Sequence, residues 1–329
     1  MSINLKPLSE QVIVITGASS GIGLATAKEA AAQGATLVLA SRNEEALKSI
    51  VRNLESKGAR AIYVVTDVSR RQDLERLAAK AIKTFGGFDT WVNNAGQGLW
   101  GKLEEVSDED HRQLFDTNFW SVVHGSTIAL KTLKKRGGAL INLGSIASDV
   151  ALPVQGMYST TKHAIKGYTS ALRRELADEG APVSVTLIQP AAIATPFAEH
   201  AKNYTGVKPK LPSPLYSAES VAQGILSAAE TPRRTVHIGG AGKLMTLVEE
   251  FAPTLYDLTA TMFKNMQLED EPNQQAGALY EAGEDGRTSG WQGKGRTSTY
   301  TAARTHPGVA AAIVGGVGLA LCLALLRKK

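Results

Sequence analysis

Cysteine is almost absent: the 329-residue chain has one, Cys322. One thiol excludes an internal disulfide and a cysteine-ligated metal site, and it fits a reducing compartment. Aromatic residues make up 6% of the chain and nowhere interleave with a basic stripe. With a net charge of only +5, this argues against a nucleic-acid partner. No clustered ligand set for a metal is present; His111, His163, His200 and His237 are scattered and receive no role. Long hydrophobic runs are also missing from the start. The first, "VIVITG", is too short for a secretory signal and leads directly into a glycine loop. The exception lies at the far end, where residues 309–326 carry no charge and precede "RKK". That length is the lower limit for a membrane span. A buried terminal helix is the alternative, but the run is apolar all round, follows a polar tract and ends in cations suited to snorkelling.

What is present is regular. Hydrophobic residues make up 43% and charged residues 20% of the chain, enough for a globular core. Between residues 11 and 240, "VIVIT", "TLVLAS", "AIYVVT", "FDTWVNN", "GALINLGS", "VSVTLIQP" and "TVHIG" read as strands. Helical patterns such as "EEALKSIVRNLESKG" separate them. Short continuous apolar strands alternating with helices indicate βαβ units. The expected fold is α/β: a Rossmann-like, doubly wound parallel sheet of about seven strands, with ligand at the carboxyl ends. Residues 241–266 read as a further helix interrupted by Pro253. Residues 267–305, rich in Gly, Thr, Ser, Gln and Asn, read as a flexible polar linker. The expected organisation is a catalytic domain over 1–266 (core about 10–240), this linker, and a hydrophobic anchor helix over 306–329.

The first strand opens into "TGASSGIG", with Gly17, Gly21 and Gly23 spaced TGxxxGxG. Glycine permits close backbone approach, and the following helix N-terminus offers free N–H groups to a diphosphate. The position on the first βαβ unit is the context such a loop requires. NAD-binding folds usually place an acid at the end of the second strand. Here Ser41 and Arg42 stand there. A guanidinium binds a 2′-phosphate that an acid would repel, so NADP(H) is expected over NAD(H); the alternative for Arg42 is a solvated residue at a helix start.

"YSTTK" places Tyr158 and Lys162 four residues apart on one helix face. Alone, such a pair could be an ordinary solvated face. The remaining markers narrow the reading: Asp67 in "TDV", "NNAG" from Asn93 to Gly96, Asn118 in "DTNFWS" and Ser145 in "NLGSIAS". In this order and at these intervals the chain resembles the short-chain dehydrogenase/reductase family in its compact single-domain form. It departs after the sixth strand, where the family commonly has Pro-Gly and this chain has Pro190-Ala191.

The resemblance implies roles. Tyr158 would be the acid/base, with Lys162 holding the nicotinamide ribose and lowering the phenol pKa. Ser145 would polarise the substrate oxygen, and Asn118 would support a water relay. Cofactor contacts would come from Gly17, Ser19, Ser20, Gly21, Ile22 and Gly23 in the loop. Asp67 and Val68 would meet the adenine, Asn94, Ala95 and Gly96 the groove, and Pro190, Ile193 and Thr195 the nicotinamide. Asn93 would be a structural brace, and no metal is implied. Bringing a phenol from about 10 toward neutrality takes about 4 kcal/mol, which a neighbouring cation can partly supply.

Leu152, Val154, Met157 and Phe197 suggest an apolar pocket, and the proline-bearing stretch from Phe197 to Tyr216 a covering loop, gating or static. The expected substrate is a lipophilic carbonyl compound or secondary alcohol. The expected location is the membrane, through the C-terminal tail, with the catalytic domain facing the cytoplasm. In that orientation the terminal "RKK" would have to cross against the positive-inside tendency, which a shallow insertion would avoid. The helices over about 107–133 and 157–179 are where relatives dimerise, so a homo-oligomer is expected. The competing reading is a catalytically silent cofactor sensor or membrane scaffold. Against it, Asn118, Ser145, Tyr158 and Lys162 are all present.

Overall fold

The computed structural model describes residues 3–305. The seven apolar runs form one parallel sheet from β1 (Val12–Thr16), β2 (Thr36–Ser41), β3 (Ala61–Val65), β4 (Thr90–Asn93), β5 (Gly138–Leu143), β6 (Val183–Pro190) and β7 (Thr235–Ile238). Their spatial order is β3-β2-β1-β4-β5-β6-β7. Ile13 of β1 lies opposite Leu37 on one side and Thr90 on the other. The chain therefore reverses direction across the sheet between β1 and β4, which opens a crevice at their carboxyl ends.

The helices are α1 (Gly21–Ala32), α2 (Glu44–Glu55), α3 (Arg71–Phe85), α4 (Asp108–Phe115), α5 (Ser121–Arg136), α6 (Gly156–Asp178) and α7 (Ala218–Glu230). Leu24, Leu47 and Ile225 of α1, α2 and α7 pack with Ile13 and Leu37 on one face. Leu74, Ile128 and Leu172 of α3, α5 and α6 pack with Val14, Val38 and Trp91 on the other. Covering both faces is what makes the central strands continuously apolar rather than alternating. Local signals set the boundaries. Asn43 caps α2, its side chain accepting from the Ala46 N–H at 3.0 Å. Gly86 ends α3 in the left-handed region at φ 75°.

The predicted helix over 241–266 is three: α8 (Gly240–Phe251), α9 (Pro253–Leu258) and α10 (Ala260–Met266). Pro253 occupies the first position of α9, where its missing N–H is no loss. The proline-rich stretch after Phe197 is pinned rather than free. Lys202–Asn203 pairs with Leu99–Trp100, and Val207–Pro209 pairs with Leu268–Pro272.

Two expectations are corrected. Residues 267–305 are not a free linker. Leu268–Pro272 is a strand, Leu279 is fully buried beside Leu99 and Leu114, and Thr299–Thr305 is a helix against α7. Composition misled because polar side chains do the anchoring. Gln275 Nε2 donates to the carbonyls of Ala198 (2.6 Å) and Ala201 (2.7 Å), and Gln267 Nε2 to that of Pro153 (3.0 Å). Tyr280 donates to Asp110 at 2.7 Å, and Lys202 pairs with the same carboxylate at 2.6 Å. A count of apolar residues cannot register such bonds, which replace water rather than exclude it.

The second correction concerns the membrane. Among the described residues no helix is long and apolar enough to cross one. The transmembrane helix, the membrane partner and the membrane location expected from the sequence therefore find no support there. The run at 309–326, on which they rested, lies outside the described residues.

Candidate active site

The carboxyl ends of the strands open onto a cavity of about 340 Å³, within the range of ligand sites. It runs from Thr66, Asp67 and Val68, past the start of α1, to Ser145, Tyr158 and Leu152. The glycine turn is what brings α1 so close to β4. Gly17 has φ 64°, and a Cβ there would lie 2.8 Å from Ala95 Cα. At Gly23 a Cβ would lie 2.1 Å from the Gly17 carbonyl oxygen. Asn94 Nδ2 ties the turn down, donating to the Thr16 carbonyl at 2.8 Å. No acid lies in the first turn of α1 and Ser20 makes no side-chain capping bond, so no charged group opposes the positive end of this helix, although its first N–H, that of Gly21, donates to the Arg287 carbonyl at 2.8 Å.

Of the residues expected to meet a cofactor, Gly17, Ser19, Ser20, Gly21, Ile22, Ser41, Arg42, Asp67, Val68, Asn94, Ala95, Gly96, Pro190, Ile193 and Thr195 all line this cavity. Gly23 lies behind it and shapes the turn. Asn93 is a brace: it accepts from Trp91 Nε1 at 2.8 Å and donates to Asn142 at 2.9 Å.

Ser145, Tyr158 and Lys162 converge at the cavity's inner end. Ser145 follows β5 and accepts from the Ala147 N–H at 3.1 Å, which leaves its own O–H to donate to Tyr158. Lys162, one turn along α6 from Tyr158, donates to the Leu143 carbonyl at 2.9 Å and lies 5.6 Å from the Tyr158 ring centre. Asn118 sits in the π-helical turn Asp116–Trp120 that joins α4 to α5. Such turns recur at functional sites. Its amide clamps the Gln97 backbone, accepting from the N–H at 2.7 Å and donating to the carbonyl at 3.0 Å. These bonds make Asn118 a support for the 95–97 loop under Lys162.

Burial sets the charge states. It pushes Tyr158 up to about 12, with only the Ser145 hydrogen bond pulling the other way, so the lowering expected from Lys162 does not prevail. It pushes Lys162 down to about 8. Both shifts follow from disfavouring the charged form in a poorly solvated site. The chain's own residues thus move the phenol further from ionisation at neutral pH than it would be in water.

Arg42 donates to the carbonyls of Ala278 (2.5 Å) and Leu279 (3.3 Å). Burial holds its guanidinium below the usual value, opposed by the Asp67 and Asp285 carboxylates. Met245, Phe263, Met266, Ala278, Ala282, Gly283 and Asp285 also line the cavity, and no motif marks them. Met245, Phe263 and Met266 lie in the stretch read as a further helix, and the other four lie beyond the strand-and-helix pattern that located the rest. One paired signal was present: Ala191, replacing the family's glycine, packs where Gly242 has no side chain, and a Cβ on Gly242 would fall 2.9 Å from that of Ala191.

The site and sheet together define a nicotinamide-dependent oxidoreductase fold, and comparison with known proteins agrees. The family model described as short chain dehydrogenase matches residues 11–205. The chain is 45% identical over 325 residues to the uncharacterized oxidoreductase YxnA of Bacillus subtilis, covering 96% of this chain and 91% of that protein. Its structure is similar to that of a short chain dehydrogenase/reductase from Burkholderia phymatum in complex with NAD (TM-score 0.69, 29% identity, 77% of this chain and 97% of that one). It is also similar to an alcohol dehydrogenase from Thermococcus sibiricus complexed with 5-hydroxy-NADP (TM-score 0.62, 27% identity, 69% and 95%). The chain belongs to the short-chain dehydrogenase/reductase family. It is an oxidoreductase that exchanges hydride with a nicotinamide cofactor.

The shift at Lys162 has a sign that can be measured. A lysine at about 8 when folded and 10.5 when unfolded binds its proton more tightly in the unfolded chain. The resulting destabilisation is fully present below pH 8 and is lost as pH rises through 10.5. Lys162→Met should therefore gain melting temperature relative to the parent near pH 7, with the gain shrinking toward pH 10. A gain that stays constant or grows with pH would contradict this environment for Lys162.

Proposed function

We propose that the chain is an NADP(H)-dependent enzyme that interconverts a lipophilic carbonyl compound and its secondary alcohol, with Tyr158 as acid/base. The observation that carries this is the convergence of Ser145, Tyr158 and Lys162 on one buried end of the cavity. When bound, the dinucleotide supplies or accepts the hydride. The protein's part is to position the substrate and manage one proton. Ser145 donates toward the oxygen that gains charge as the carbonyl is reduced, a contribution that is strongest where water is excluded. Tyr158, protonated in its buried setting, gives that oxygen its proton; in the reverse direction the phenolate removes it. Lys162 places a positive charge behind the ring and favours the phenolate as the proton leaves.

The substrate class rests on the walls. Leu152, Phe197, Leu211, Met245, Phe263 and Met266 line the same cavity as Ser145 and Tyr158, with the Phe197 ring 5.3 Å from that of Tyr158. Gln155 is a polar exception, and its amide donates to Gln267 at 2.5 Å. Such a lining favours long-chain or ring-fused apolar carbonyl compounds over small polar ones. The cofactor preference rests on Arg42. A guanidinium has five N–H donors. Its bonds to Ala278 and Leu279 use part of that set. The remaining donors sit at the end of β2, where a 2′-phosphate would lie.

Tyr158→Phe should lower turnover by about 10²-fold or more while cofactor affinity stays nearly unchanged; comparable losses in both would remove Tyr158 from the proton step. Arg42→Asp should weaken NADPH binding far more than NADH binding, measured by fluorescence titration. Equal weakening of the two would contradict the NADP(H) assignment.

A further inference from the structure

Residues 277–287 cross the outer edge of the groove, held there both through their backbone and by outward-facing side chains. The Gly286 N–H donates to the Ser19 carbonyl at 2.8 Å, and the Gly21 N–H donates to the Arg287 carbonyl at 2.8 Å. Both partners belong to the glycine turn. At the end of β2, Arg42 holds the carbonyls of Ala278 and Leu279, and Asn43 Nδ2 donates to that of Gly283 at 3.3 Å. This segment therefore spans the residues that a diphosphate and its ribose would meet.

Its side chains sort by direction. Those facing the cavity are Ala278, Ala282, Gly283 and Asp285, three of them small or absent. The large ones turn away and anchor it. Leu279 is fully buried beside Leu99 and Leu114. Tyr280 donates to the buried Asp110 carboxylate at 2.7 Å, and Arg287 pairs with Glu199 at 2.8 Å. Small inward residues leave the groove continuous beneath, so the segment covers the site without filling it. The flanking Gly277 (φ 64°) and Gly286 (φ 91°) hold backbone angles that other residues rarely adopt.

We propose that residues 277–287 are a strap that roofs the dinucleotide groove and must lift for cofactor to enter or leave. The inference rests on the reading of the groove as a nicotinamide-dinucleotide site. Under it, the strap's side-chain anchors govern cofactor exchange although none touches the cofactor. Asp110 and Glu199, far apart in sequence and outside the cofactor groove, become determinants of residence time.

The test is stopped-flow displacement of NADPH from the full chain and from two variants, Tyr280→Phe and Arg287→Ala, each removing one anchor. Loss of a hydrogen bond to a charged group should raise the dissociation rate about tenfold in each variant. If both variants keep the parental melting temperature and the parental dissociation rate, the strap proposal fails. A faster association rate with unchanged dissociation would also overturn it, because the segment would then be a plug. If the parent binds neither NADPH nor NADH, the cofactor reading itself falls, a result distinct from unchanged dissociation. Should either variant not fold, hydrogen exchange on the parent decides. NADPH should slow exchange at Gly286 and its neighbours, and unchanged exchange there would overturn the proposal.

Discussion

A buried ammonium placed behind a buried phenol is the constraint on which the site depends. Tyr158 and Lys162 share a face of α6 because they are one helical turn apart. That face points at the carboxyl edge of the sheet because α6 packs Ile165, Leu172 and Leu176 inward. The Leu143 carbonyl and the loop clamped by Asn118 then fix where the ammonium sits. Desolvation works against both charges, raising the phenol and lowering the amine. A neutral, protonated tyrosine is the form suited to delivering a proton to a reduced carbonyl. Making it a base requires further positive charge, which an oxidised nicotinamide ring carries. Under the proposed acid/base role, Tyr158 would be tuned by the cofactor's redox state as much as by the protein.

The second theme is how a polar C-terminal stretch becomes part of the site. Residues 267–298 contribute few apolar side chains, yet Gln267, Gln275 and Gln292 each bond backbone groups of distant segments. Each such bond adds little net free energy, about 1 kcal/mol. Their collective effect is geometric, holding the stretches that flank residues 277–287 against the segments around Pro153, Ala198 and Leu211. Helices α8 and α10 complete the other side with Met245, Phe263 and Met266. The apolar end of the cavity is thus partly built from sequence that follows the sheet.

This explains what could and could not be read in advance. The sheet was legible because strands buried on both faces must be continuously apolar, as "VIVIT" and "GALINL" are. The glycine turn was legible because Gly17 and Gly23 have no tolerable substitute at those contacts. Tyr158, Lys162 and Ser145 were legible through spacing combined with family resemblance. The strap was not, because hydrogen-bond partners far apart in sequence leave no periodicity, and its composition resembled a linker. Arg42 was located correctly at the end of β2, but its bonds to Ala278 and Leu279 were invisible for the same reason. Ala191 stood out as a departure from the family pattern; its counterpart, Gly242, could be identified only once the two were seen in contact.

The rise in the Tyr158 pKa on burial, and its fall under cofactor charge, can be measured directly. Titration of Tyr158 by NMR in protein carrying ring-labelled tyrosine, with Tyr158→Phe to assign the signal, reports its pKa with and without oxidised cofactor. The value should lie near 12 in the protein alone. On addition of NADP⁺ it should fall by about two units or more. A phenol that titrates near its ordinary value in the protein alone, or one that does not respond to NADP⁺, would contradict it.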